Sequence, residues 1–207
     1  MCIVNIDHRT QVWEDSGVSQ TEKSTYHHGD LRQSLLDATL ALLAEGQEPS
    51  LRAVARRAGV SPMAPYRHYP DKDALLTAVA LRGIEGLHQA ISDADRAAPA
   101  GGGLVAQSLA YVRYAADHPV LFRLMFGPAR PHAGGAICTA SDALKAVMLH
   151  RLAIEAPDRL SPELALGCWS LIHGLALLVI DGLLAQTDPD PLAGLVERTI
   201  RTMLRHC

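Results

Sequence analysis

Aromatic residues make up only 4% of the 207-residue chain, and no run alternates apolar and polar positions through β-branched side chains. Without that period-two pattern a sheet has no face to build, so an alanine- and leucine-rich chain is expected to be helical nearly everywhere. Cysteine is sparse: Cys2, Cys138, Cys168 and Cys207 are scattered and match no metal-ligand spacing. No metal and no cofactor is expected, and a reduced compartment is the simplest setting. The first 25 residues hold no apolar run of the length a secretory signal needs. The longest apolar stretch, Cys168 to Leu184, is interrupted by Ser170, His173 and Asp181. It reads as too short and too polar for a membrane span, and the expected location is the cytoplasm. Also missing are a Gly-rich phosphate loop, an H-E-x-x-H helix, a nucleophile elbow and clustered carboxylates, so no enzyme is expected.

What is present is concentrated between residues 50 and 69, SLRAVARRAGVSPMAPYRHY. Ser50 is placed to cap a helix whose apolar positions Leu51, Val54, Ala55 and Ala58 form one stripe. Gly59 supplies a left-handed residue after it, and small Ala55 allows a close helix crossing, with Val60 filling the space between. Ser61 followed by Pro62 predicts the start of a second helix. This is the logic of a helix-turn-helix, whose second helix enters the major groove of DNA. From residue 50 to 72 there are five cations (Arg52, Arg56, Arg57, Arg67 and Lys72) against one acid, Asp71, in a chain of net charge −3. A DNA-binding protein needs a basic footprint, not a basic total.

Organisation follows from the helical periodicity. Residues 1–25 are polar and aperiodic and read as a flexible arm. A helix begins near Asp30, where Asp30 and Gln33 have capping-box spacing, and ends at Gly46. A longer helix is expected from Asp71 to about residue 94, with Gly83 and Gly86 in its second half. Others follow at 104–117, 120–126, 136–155, 162–187 and 190–206, separated by glycine- and proline-rich loops. The expected architecture is all-α with about nine helices: a helix-turn-helix domain over 26–70 and a second helical domain over 71–207. The segment Leu164 to Leu184 is apolar almost all the way round, and such a helix needs covering. The last two helices are therefore the expected homodimer interface.

The stretches YHHGDLRQSLLDATLALLAEG and SLRAVARRAGVSPMAPYRHYPDKDALL resemble the N-terminal domain of the tetracycline-repressor (TetR) family of bacterial transcription regulators. Trp169-Ser170-Leu171-Ile172-His173-Gly174 is similar to the W-x-x-x-H-G pattern of one C-terminal subtype. The resemblance implies a homodimeric repressor on a double-stranded DNA operator, released by a small-molecule effector, with no membrane partner. Carried over by position, it implies DNA contact by His27, His28, Ser50, Arg52, Ser61, Met63, Ala64, Tyr66, Arg67, His68 and Lys72. Because Met63, Ala64 and Pro65 offer few hydrogen-bonding groups, base readout is expected to rest on Arg67, with methyl contacts and DNA shape contributing. Tyr69 takes an aromatic core position.

Trp169 and His173, four apart on one helix, read either as a ligand-pocket wall or as a core tryptophan beside a hydrogen-bonded core histidine. Phe122, Met125 and Phe126, with Leu87, His88 and Ile91, are candidates for the lining of a pocket for a small apolar effector beneath the helix that starts at Asp71. Adjacent His27 and His28 read as phosphate contacts before a metal pair. Cys138 and Cys168 carry no sign of activation. The alternative to a regulator is a helical ligand-binding or scaffold protein with a degenerate helix-turn-helix. A DNA-binder with no effector would differ by lacking a cavity under Trp169.

Overall fold

The computed structural model describes residues 28–128, 131, 134–184 and 191–206; residues 1–27, where the arm and His27 fall, lie outside the described part. Among the described residues the chain is all-α. Eight helices run α1 (His28–Ala44), α2 (Leu51–Arg57), α3 (Lys72–Ala97), α4 (Gly103–Asp117), α5 (Pro119–Phe126), α6 (Gly134–Glu155), α7 (Pro162–Ile180) and α8 (Pro191–His206). Short 3₁₀ turns occupy Pro65–Arg67 and Pro157–Arg159.

The first end of α2 is as its sequence predicts. The Ser50 hydroxyl accepts from Ala53 N–H at 3.2 Å, satisfying one of the orphan donors of a helix start. At the other end Gly59 has φ +69°. Its N–H donates to Arg56 C=O at 3.2 Å and Val60 N–H donates to Ala55 C=O at 3.0 Å. That reciprocal pair closes a helix on a left-handed residue.

Two local expectations differ. α1 starts at His28, so Asp30 lies inside the helix and not at its cap position, and Gln33 Nε2 donates to the Asp37 carboxylate at 3.0 and 3.1 Å. The pair Ser61-Pro62 does not open an α-helix either. Pro65 has no N–H to give the Ser61 carbonyl, which takes Ala64 N–H at 2.9 Å; Arg67 N–H and His68 N–H then bond to Ala64 and Pro65 carbonyls at 3.2 and 2.9 Å. Two prolines three residues apart thus tighten the recognition segment into a turn and a 3₁₀ helix.

α3 joins the two halves of the molecule. Near its start Leu75, Leu76 and Val79 are buried with Leu35, Leu36 and Leu42 of α1, Leu51 and Val54 of α2, and Tyr69. Further along, α3 packs against α4, α5 and α6. Its far end is held by polar bonds. Arg151 grips Asp95 through Nε at 2.6 Å and a second nitrogen at 2.7 Å, and Gln107 Nε2 adds 2.8 Å; α6 also ties to α4 directly, where Glu155 accepts from Leu104 N–H at 3.1 Å. α7 and α8 both lie on α4.

α7 stops at Ile180, earlier than expected, because Gly182, at φ +68°, reverses the chain. It begins at Pro162, and its 19 residues with a mean hydropathy of 1.8 are long and apolar enough to cross a membrane by length and composition. The expectation of a stretch too short to span therefore needs correcting, since Leu164, Ala165 and Leu166 extend the apolar run ahead of Cys168. In the fold one stripe of α7, Leu164, Cys168, Ile172, Leu175 and Ala176, is buried. Leu166, 65% exposed, and Leu178, 40% exposed, face outward.

Candidate nucleic-acid interface

The recognition segment displays its side chains. Ser61, Met63, Tyr66 and Arg67 are exposed, Ala64 and His68 are half-buried, and Met63 reaches 67% exposure. Tyr69, by contrast, is buried and anchors the segment: Arg32 Nε donates to its hydroxyl at 3.3 Å, and the Arg32 guanidinium sits 5.8 Å from the ring centre. The turn is therefore pinned from below and open above. The exposed Ser50 hydroxyl accepts in the cap of α2 and still has its proton to donate, and exposed Arg52 stands two residues on. His28 lies at the first position of α1, and its side chain, like all of His27, is outside the described residues.

Two of the five cations are already held. Lys72 Nζ is 2.7 Å from Glu48 Oε1, and Arg57 binds the Glu45 carboxylate in two places at 2.7 and 2.9 Å. The hydrogen bond from Lys72, then its charge, keeps the Glu48 carboxyl below its ordinary range; Arg57 does the same for Glu45. Among the described residues Arg52, Arg56 and Arg67 make no ion pair. The two acids on the α1–α2 connection escape a charge count that starts at residue 50. A window opened at Glu45 finds them.

Glu48 competes for the Lys72 charge with any phosphate that approaches it. Exposed ion pairs contribute little to stability, so Glu48→Gln is expected to leave the melting curve unchanged. It should raise affinity for arbitrary duplex DNA about threefold per subunit at low salt, with the gain fading as salt rises. Fluorescence anisotropy with a labelled random duplex reads this, and an unchanged or weakened affinity would show that Lys72 does not face the backbone.

In the helical body the rings meet in one cluster. Tyr111 of α4 lies edge-on to Phe122 and Trp169, both at 5.6 Å between centres. His173 stacks on Trp169 at 5.7 Å and on Phe122 at 5.4 Å, and Phe126 packs edge-on to it at 5.3 Å. The Tyr111 hydroxyl and His173 Nδ1 share a hydrogen bond of 2.8 Å. Burial pushes the Tyr111 hydroxyl above the ordinary tyrosine range and the His173 imidazole below its own. The neutral imidazole thus serves as a flat packing surface with one polar tether.

Leu87, Ile91, Phe122 and Met125 are completely buried and fill the interior beneath α3. His88 and Phe126 are half-buried. Trp169 also borders a groove of about 410 Å³ between α6 and α7, floored by Met148, Leu152, Ala165 and Cys168. Lys145, paired with Asp142 at 3.0 Å, stands 5.8 Å over the Trp169 ring. The buried Cys168 thiol is pushed up to about 11, the opposite of an activated cysteine. Tyr111, which organises the cluster, reads in the sequence only as a stripe residue of α4. Its place four residues before Ala115 gives no local sign of the rings that meet it.

A pinned, outward-facing recognition turn beside α1 and α2, followed by six further helices, α3 to α8, is the layout of a helix-turn-helix unit joined to a larger helical body. Residues 35–79 match the family described as bacterial regulatory proteins, tetR family, and residues 104–203 match the tetracyclin repressor-like C-terminal domain. A solved protein of unknown function from Rhodococcus sp. RHA1 is 32% identical over 88% of this chain and 98% of its own, with a TM-score of 0.73. A TetR family transcription regulator from Marinobacter aquaeolei VT8 is 22% identical over 84% of this chain and 93% of its own, with a TM-score of 0.65. The TetR family regulator PfmR from Thermus thermophilus shares the fold at 18% identity, covering 83% of this chain and 97% of its own, with a TM-score of 0.62. No curated protein matches the sequence. The chain belongs to the TetR family of bacterial transcription regulators.

Proposed function

We propose that the protein is a homodimeric repressor that holds a palindromic operator and leaves it when a small, mainly apolar effector binds the helical body. The observation that carries the DNA half is the recognition segment: Met63, Tyr66 and Arg67 stand free above a buried Tyr69. Base edges fall to Arg67, while Ser50, Arg52, Ser61, Ala64, His68, Lys72 and the His27-His28 pair serve the phosphates and groove walls.

Dimerisation is supported by α7, whose outward Leu166 and Leu178 remain exposed within the subunit. A groove of about 670 Å³ between α7 and α8, lined by Leu164, Gly167, Leu171, Thr199 and Met203, gives the second copy a seat. Two readers on one twofold axis then meet half-sites about one helical turn apart.

The effector region comprises Leu87, His88, Ile91, Phe122, Met125, Phe126, Trp169 and His173. Since several of these are fully packed, entry runs by the α6/α7 groove beside Trp169, and the ligand displaces ring contacts. The filled interior favours a second reading, constitutive operator binding without an effector.

The experiment has two parts. Light scattering at micromolar concentration is expected to give about twice the 22.2 kDa subunit mass. Selection from a random duplex pool is expected to return a two-half-site palindrome. A monomer that enriches no sequence would refute the proposal.

A further inference from the structure

The structure assigns to Tyr114 the role of a positioning residue that sets the tilt of α3 and thereby the spacing of the two recognition segments. The inference rests on the dimeric operator-binding reading above. Gly83 and Gly86 fall on one face of α3 and together open a notch in it. A Cβ at Gly83 would stand 2.7 Å from Met125 Sδ and 2.8 Å from Leu121 Cδ1, so α5 sits against the backbone there. A Cβ at Gly86 would stand 2.6 Å from the Tyr114 hydroxyl oxygen. The tyrosine fills that missing volume and donates to the Gly83 carbonyl at 2.9 Å. Its ring is braced by His118, 4.6 Å away between centres. Beside the side-chain bonds at Asp95, the body domain therefore also grips α3 at the notch through a directional bond to the helix backbone.

The reader moves with α3. Asp37 of α1 pairs with Arg82, next to the notch, at 2.8 Å, and Tyr69, Leu75 and Val79 share the core of α1. A groove of about 570 Å³ lined by Leu40, Val79, Arg82, Tyr114, His118 and Leu121 leaves room on that side for a change of tilt. From Gly83 back to Lys72 is about 16 Å along the helix at 1.5 Å per residue. A tilt of about 5° moves each recognition segment by about 1.5 Å, and the pair by about 3 Å, close to the rise of one base pair of about 3.4 Å. Removing the hydroxyl should thus alter which half-site spacing the dimer accepts, with little effect on how each half-site is read.

The test uses the full chain and an operator enriched from random duplex DNA, rebuilt with its spacer changed by one and two base pairs in each direction, beside a duplex carrying a single half-site. Wild-type protein is expected to prefer one spacer. Tyr114→Phe keeps the ring and its packing. It is expected to shift the optimum or to cut the preference between neighbouring spacers by about two- to tenfold, the worth of one hydrogen bond, with single half-site affinity unchanged. Gly86→Ala should disturb the profile in the wild-type background and add nothing in Tyr114→Phe, because the oxygen it would strike is gone. A Tyr114→Phe profile that keeps the wild-type shape, even at uniformly lower affinity, overturns the role. A wild-type protein that enriches no operator overturns the DNA-binding proposal and this inference with it.

Discussion

Replacing Phe122 by alanine is expected to destabilise the protein by about 3–5 kcal/mol, the usual range for a fully buried phenylalanine. The side chain has no exposed surface. It contacts Tyr111 edge-on at 5.6 Å, Phe126 at 5.0 Å and His173 face-on at 5.4 Å. Its loss leaves a cavity where α4, α5 and α7 meet, and aromatic pairs add about 0.5–1.5 kcal/mol beyond area burial. Against a total stability of about 5–15 kcal/mol this is a large fraction. The melting temperature should fall by roughly 10 °C for a chain of this length. Protein concentration must be fixed, since the apparent stability of the proposed dimer depends on it. The recognition segment sits on other elements, so the folded fraction should keep its operator preference. A loss below about 1 kcal/mol would mean that the surrounding rings close over the vacancy and that the cluster is not a close-packed core.

Arg67→Ala is expected to weaken operator binding by about 1–3 kcal/mol per half-site and to relax the preference at one base pair in each, the signature of a lost bidentate guanine contact. The guanidinium is exposed and makes no ion pair among the described residues. It is the last residue of the 3₁₀ turn that opens at Pro65. Lys72→Ala should differ in kind. It is expected to remove a phosphate contact, weakening all sequences alike and lowering the log–log salt slope by about 1. Binding measured over three salt concentrations, with the selected operator and single-base variants of it, separates the two. Equal and sequence-independent losses for both substitutions would show that Arg67 touches only the backbone.

The sequence by itself determined much whose cause is local. Helix is written in the absence of period-two runs and in the leucine stripes. The start and stop of α2 are written in Ser50 and Gly59, because a cap and a left-handed residue act within a single turn of chain. The helix-turn-helix is legible for the same reason. Where local signals competed, the chain could not be read so simply. Ser61-Pro62 announces a helix, yet Pro65 withholds the N–H that an α-turn would need, and a tight 3₁₀ turn results. Tertiary structure decided whatever depends on residues far apart in sequence. Glu48 meets Lys72 across 24 positions, and Tyr111 meets His173 across 62. Neither separation leaves a periodic trace. The glycines of α3 signalled a weak or closely packed helix, but only packing shows that Tyr114 and Met125 fill the notch. An apolar stripe likewise states how much surface must be covered and says nothing of which neighbour covers it. Leu87, Ile91 and Phe122 close the space beneath α3, while Leu166 and Leu178 of α7 are left facing out. Burial is a property of the packed whole, and the local pattern fixes only the face that seeks it.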